Sequence, residues 1–338
     1  MKRNKRLGLF CSIFIFCAGL PAFSQVQIPE LGELQSAMDG FSESMANSLP
    51  FSSAMGLNWS HAHIGKLPSF GVGVSLGFTT VESEVLELLL SQFSANLPID
   101  ALSAFPLMAY TVEGRVGGFA GLPFDIGAKL GVLPLNISSR NAKIDYLLFG
   151  FDFRYAVLQE TAVRPGISVG VGFNRLSGGI ETKIGRDRRF NYPNPSTEDL
   201  TRTGTITLEA PAVGVNWESN TLDFKAQISK SAGPVTPYLG LGAANGWSKA
   251  GYDVISRITD SEGGDNLDNI IRIAKEFGIA DLSQTGFSSL QSFSGWSFRT
   301  FGGVSFNISA ITLDLTGLYN FNDNNYGISL GGRLQFGR

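Results

Sequence analysis

From Ser69 to Thr80 the chain alternates with period two: Phe70, Val72, Val74, Leu76 and Phe78 against Gly71, Gly73, Ser75, Gly77 and Thr79. Successive side chains of a strand point to opposite faces, so one face is apolar and the other small and polar. The pattern returns many times. Met108, Tyr110, Val112 and Val116 oppose Thr111, Glu113, Arg115 and Gly117. Phe124, Ile126, Ala128, Leu130 and Val132 oppose Asp125, Gly127, Lys129 and Gly131. Phe149, Phe151, Phe153, Tyr155 and Val157 oppose Gly150, Asp152, Arg154 and Ala156. Further runs lie at 167–174, 222–228, 235–247, 296–306, 311–321 and 326–336. Each has about the 9–11 residues a tilted membrane strand needs.

Connections between these runs differ in length. Gly118 to Gly121, Ser231 to Pro234 and Asn307 to Ala310 are short, whereas Val81 to Ala104, Arg186 to Ala212 and Ala250 to Ser292 are long. Antiparallel transmembrane barrels have this asymmetry, with short turns on the periplasmic side and long loops outside. The expected fold is therefore all-β, an antiparallel transmembrane β-barrel with an even number of strands. Counting back from a periplasmic C-terminus gives ten, starting at Ser69. Twelve is the alternative and needs Met55 to Ile64 and a stretch near Thr205 as strands. A soluble β-sandwich would satisfy the alternation too, but phenylalanine-rich faces set against glycine and paired charges favour the membrane.

Ahead of the strands, Pro29 to Leu49 reads as a helix. Leu31, Leu34, Met38, Phe41 and Met45 share one face, Pro29 suits a first helical position, and Pro50 should end the element. Residues 25–66 are expected to lie in the periplasm or to plug the lumen, with residues 67–338 forming the barrel. Before them, Lys2, Arg3, Lys5 and Arg6 precede the apolar run Leu7 to Leu20 and a small-x-small Ala22-Phe23-Ser24. This reads as a signal peptide over residues 1–24, which directs export to the bacterial outer membrane.

Composition narrows the function classes. Charged residues make up 16%, glycines number 41, and the net charge is -3. Nothing suggests a nucleic-acid partner. Both cysteines, Cys11 and Cys17, fall in the signal peptide. The exported chain then holds no disulfide, thiolate metal site or cysteine nucleophile. His61 and His63 are the only histidines, too few alone for a closed zinc site. No catalytic residue, metal or cofactor is expected, and the chain reads as non-enzymatic. The expected partners are outer-membrane lipid, the barrel-insertion machinery and a hydrophobic small-molecule ligand.

Two constellations bear on function. Inward positions carry Glu113, Asp125, Asp152, Asp223 and Asp314, matched by Arg115, Lys129, Arg154, Lys225, Arg299 and Arg333. Buried charges survive when paired, so a structural ion-pair network filling a narrow lumen is expected rather than an ion-selective ring. Two long loops each carry a helical pattern. One, from Glu84 to Phe93, is apolar nearly all round, with Leu86, Leu89, Leu90 and Phe93. The other, from Asp265 to Gly278, sets Ile270, Ile271 and Phe277 on one stripe with Arg272 beside it. Packing on the barrel rim accounts for such helices. The alternative is a groove between them that binds a lipid, with Arg272 at its edge for a carboxylate.

The leader, the exported chain without cysteine, the segment Thr236-Pro237-Tyr238-Leu239-Gly240-Leu241-Gly242 and the aromatic last strand resemble bacterial outer-membrane β-barrels. The N-terminal plug segment and helix-bearing loops resemble, more narrowly, FadL-like long-chain fatty-acid transporters. That resemblance implies capture of an amphipathic lipid at an outer groove and passage through a plugged barrel. The expected function is passive uptake of a small hydrophobic or amphipathic molecule. The alternative is a structural or surface-interaction barrel without transport.

Overall fold

A computed structural model describes residues 31–64, 69–82, 104–118, 121–132, 142–183, 187–193, 203–210, 212–255, 258–260 and 286–337. Among these residues lie one helix, α1 (Leu31–Ser53), and thirteen strands. In chain order these are β1 (Ser69–Glu82), β2 (Ala104–Gly117), β3 (Phe124–Val132), β4 (Ala142–Leu158), β5 (Gly166–Lys183), β6 (Arg188–Pro193), β7 (Thr203–Leu208), β8 (Ala212–Ser229), β9 (Val235–Ile255), β10 (Ile258–Asp260), β11 (Gly286–Ile308), β12 (Ile311–Asn320) and β13 (Tyr326–Phe336).

Ten of them close a barrel in the order β1-β2-β3-β4-β5-β8-β9-β11-β12-β13, with β13 returning to β1. Every pairing is antiparallel, and the closing seam runs from Phe70 opposite Phe336 to Thr79 opposite Gly327. The stretch near Thr205 does form a strand, but in a separate three-stranded sheet of β10, β7 and β6. Met55 to Ile64 forms none. Ten strands therefore stand, and the twelve-strand alternative falls.

The outer surface is apolar. Phe70, Val74, Phe151, Val157, Leu241, Leu313 and Leu330 are all more than half exposed or close to it. Charged and polar residues occupy the inner positions of the same strands: β12 alternates exposed and buried without a break. A water-soluble sandwich would have the reverse distribution. An apolar exterior around a polar interior in a closed ladder defines a transmembrane β-barrel of the outer-membrane type. Among the described residues no helix is long and apolar enough to cross a membrane.

Strand lengths fix where the membrane ends. The ten residues of β12 cover roughly 34 Å along the strand, about 25 Å in height once tilted. That matches the hydrocarbon layer. The 21 residues of β9 and 23 of β11 run about twice as far. With β5 and β8, 18 residues each, they project past the membrane at the long-loop end as a curved wall.

Helix α1 runs against the inner side of this wall and of β1. It passes Pro50 and continues to Ser53, so the expected stop at Leu49 is wrong. In the last turn a proline forfeits a single N–H bond. Ser53 Oγ restores a local bond by donating to Pro50 O at 2.8 Å. The Pro50 ring lies where a Cβ on Gly246 would be, 2.3 Å from its Cγ. Behind the helix, residues 54–64 continue as irregular chain down the lumen.

Candidate functional site: a plugged lumen

The barrel interior has two zones. At the long-loop end, inward residues of the wall are apolar: Leu107, Leu148, Leu176, Trp217 and Tyr252 are buried there. They form one core with Ala37, Met38, Phe41, Met45 and Leu49 of α1. Phe41 meets Phe105 edge to face at 5.6 Å. The helix pattern of apolar residues is thus satisfied by the barrel itself, and Met45 and Leu49 are wholly buried.

Deeper in, at membrane level, the inner face turns ionic. All eleven charged residues of the lumen are buried. Asp125 accepts from Arg115 and, at 2.6 Å, from Arg154. Asp152 holds Arg115 at 2.8 Å and Lys225 at 2.5 Å. Asp223 takes both terminal nitrogens of Arg299, at 2.7 and 2.9 Å. Asp314 pairs with Arg333 and accepts from Ser305. Glu113 accepts from Thr111 at 2.8 Å and from the Trp59 indole at 2.7 Å.

The cations also grip the plug, and they do so through its backbone. Lys129 donates to the carbonyls of Ser53 (2.8 Å) and Met55. Lys225 reaches Leu57 O at 3.1 Å, and Arg154 reaches His61 O at 3.0 Å. Gln227 donates to Trp59 O at 2.8 Å and Ser60 O at 2.6 Å. Residues 54–64 contain no acidic or basic side chain apart from the two histidines. Bonds from charged donors are stronger than neutral ones, so neutral carbonyls suffice to hold the chain.

Trp59 is the side-chain anchor. Its ring lies between two guanidinium groups, Arg333 at 4.8 Å and Arg115 at 5.5 Å. Such contacts gain strength when desolvated. A Cβ on Gly71 would fall 2.7 Å from the Trp59 ring, and one on Gly77 2.4 Å from Met55 Cε. The space beside Gly71 is the one that the Trp59 ring occupies, whereas Cβ atoms on Gly73 and Gly77 would also meet the backbone of β13.

His61 Nδ1 lies 3.1 Å from Arg333 and 3.2 Å from Ser60 Oγ. Among the described residues no cluster of three metal-ligating side chains occurs. At the short-turn mouth a cavity of about 560 Å³ opens beside Trp59, His61, His63, Arg115 and Arg154. Leu86, Leu89, Leu90, Phe93, Ile270, Ile271, Arg272 and Phe277, the residues of the expected loop groove, lie outside the described residues, as do residues 1–24, expected to form a signal peptide.

Sequence reasoning missed Trp59, Gln227 and the apolar zone around α1. Gly71 was the available signal for Trp59, since a strand glycine marks a close approach by another group. For the apolar zone the signal was the change along single strands: on β2, inward residues pass from Arg115 and Glu113 through Thr111 to Leu107 and Phe105.

No family model and no curated protein matches the chain. Solved structures with a similar course include the outer membrane protease OmpT of Escherichia coli, at 9% identity and TM-score 0.41 over 83% of this chain and 99% of that one. The Ralstonia pickettii toluene transporter TbuX overlaps 90% of this chain and 98% of its own at 10% identity and TM-score 0.26. A Pseudomonas aeruginosa FadL homologue overlaps 88% and 97% at 7% identity and TM-score 0.27. At these TM-scores none of them bears on substrate or mechanism.

Proposed function

We propose that this barrel takes up a small hydrophobic or amphipathic molecule passively across the bacterial outer membrane, with the long-loop end outside and the plug as its gate. The observation that carries this reading is the apolar zone at the long-loop end. A water-filled pore has a polar interior. Here the inner wall presents Phe105, Leu107, Leu176, Trp217 and Tyr252, and a helix covers them. When α1 shifts, that surface becomes a compartment suited to an acyl chain or a hydrocarbon ring. The cations beneath it suit a carboxylate head group.

Passage requires the plug to move, which gives a direct test. Ser52 Oγ and Thr79 Oγ1 lie 2.7 Å apart, joining the helix end to β1. Cysteines at both positions have the reach of a disulfide, and the exported chain offers no competing thiol. In proteoliposomes, entry of a fluorescent fatty acid is expected in the wild type and in reduced S52C/T79C. It should stop in the oxidised form and return with reductant. Entry no faster than into protein-free vesicles would reject uptake. The second reading would then hold: a closed surface-interaction barrel, favoured by the plug and the buried ion pairs that occupy the lumen.

A further inference from the structure

The segment that fills the lumen crosses it in one direction. At the start, the Tyr252 hydroxyl near the far end of β9 donates to Asp39 Oδ1 at 3.0 Å. One helical stretch on, Ser48 Oγ accepts from Asn325, in the β12–β13 hairpin at the long-loop end, at 2.6 Å. Next, Ser52 meets Thr79, and Ser53 Oγ donates to Thr221 at 3.0 Å. Ala62 N donates to Ser229 Oγ, on the last residue of β8, at 2.9 Å. Finally Ile64 O accepts from Gln159, in the short β4–β5 turn, at 2.8 Å. The chain enters at the long-loop mouth, leaves at the short-turn mouth and starts β1 there.

We infer that the barrel is threaded by its own N-terminal segment, so that the first turns of α1 are presented on the outer surface of the cell. The inference rests on the orientation proposed above. Gln35, Ser36 and Glu43 are exposed at that mouth, while Ala37, Met38 and Phe41 are buried against the wall. The clamp suits a threaded chain, because Lys129, Arg154, Lys225 and Gln227 hold backbone carbonyls rather than particular side chains. Met45, Leu49 and Phe51 are wholly buried inside a ladder that closes without an edge.

Single cysteines in the otherwise cysteine-free exported chain test this. Ser36→Cys reports the helix start. Ser288→Cys, exposed near the outer end of β11, reports the long-loop side. Val163→Cys, at a site 94% exposed in the β4–β5 turn, reports the short-turn side. Intact cells are treated with a sulfonated, membrane-impermeant maleimide, and lysed cells give the full-labelling reference. S36C and S288C should label in intact cells as fully as after lysis, and V163C only after lysis. Labelling of S288C with protection of S36C would overturn the threading and leave the orientation standing. Labelling of V163C with protection of S288C would overturn the orientation, and the inference with it.

Discussion

Asp152→Asn should lower the unfolding temperature of the detergent-solubilised barrel more than any other single change of one lumen carboxylate to its amide. Asp152 is the one carboxylate shared by Arg115 and Lys225. Arg115 would keep Asp125, but that group already serves Arg154. Lys225 would keep only the Leu57 carbonyl as a close acceptor. Removing one partner of a buried pair typically costs about 3–5 kcal/mol, because the remaining charge stays desolvated. The shift from the folded to the unfolded band on gels, followed against temperature, reads the loss. Adding Lys225→Met should recover part of it by removing the stranded cation. Lys143→Ala supplies the contrast. Its pairing with Asp145 is long, 3.9 Å, and both side chains are about two-thirds exposed, so a change within about 0.5 kcal/mol is expected. Equal behaviour of D152N and K143A would mean that water reaches the network and that it does not hold the lumen together.

How much of this the sequence discloses depends on the range of the interaction. Period-two alternation is local, and it locates the ten barrel strands and the side each residue faces. The three strands β6, β7 and β10 escape it because they are short, and β10 has only three residues. Which charges face inward is equally local. Which charge meets which is not: Arg299 reaches Asp223 across β9, 76 residues away in sequence, a distance set by barrel closure. The backbone clamp leaves no trace in residue identity, since any non-proline residue at 55 or 57 would offer the same carbonyl. Proline at position 50 misleads for a similar reason. It breaks an isolated helix interior, yet here it stands in the last turn and packs on Gly246. The expected loop groove is a different case, because its residues fall outside the described ones.

The glycine face of β1 leads to the second large effect. In the substitution Gly71→Val, the new side chain occupies the space of the Trp59 ring. Valine is a good strand former, and its Cβ would stand 3.1 Å from Leu334 O of β13, which a shift of about a few tenths of an ångström relieves, so β1 itself should keep its pairing with β2 and β13. What cannot stay is the plug. As Trp59 leaves, Glu113 loses its indole donor, Arg115 and Arg333 lose the ring between them, and Lys129 loses the carbonyls of Ser53 and Met55. The ion pairs among wall residues remain, so the barrel should still fold and run as a folded band. Its lumen, now filled by water rather than by chain, should conduct in planar bilayers, where the wild type should stay closed. A cysteine at Ala54, buried beside the clamp, should react with a soluble maleimide in the Gly71→Val variant and resist it in the wild-type background. Current without Ala54 exposure would place the leak elsewhere than at the plug. Neither current nor exposure would show that Trp59 gives way in place, and that the plug is held by its backbone alone.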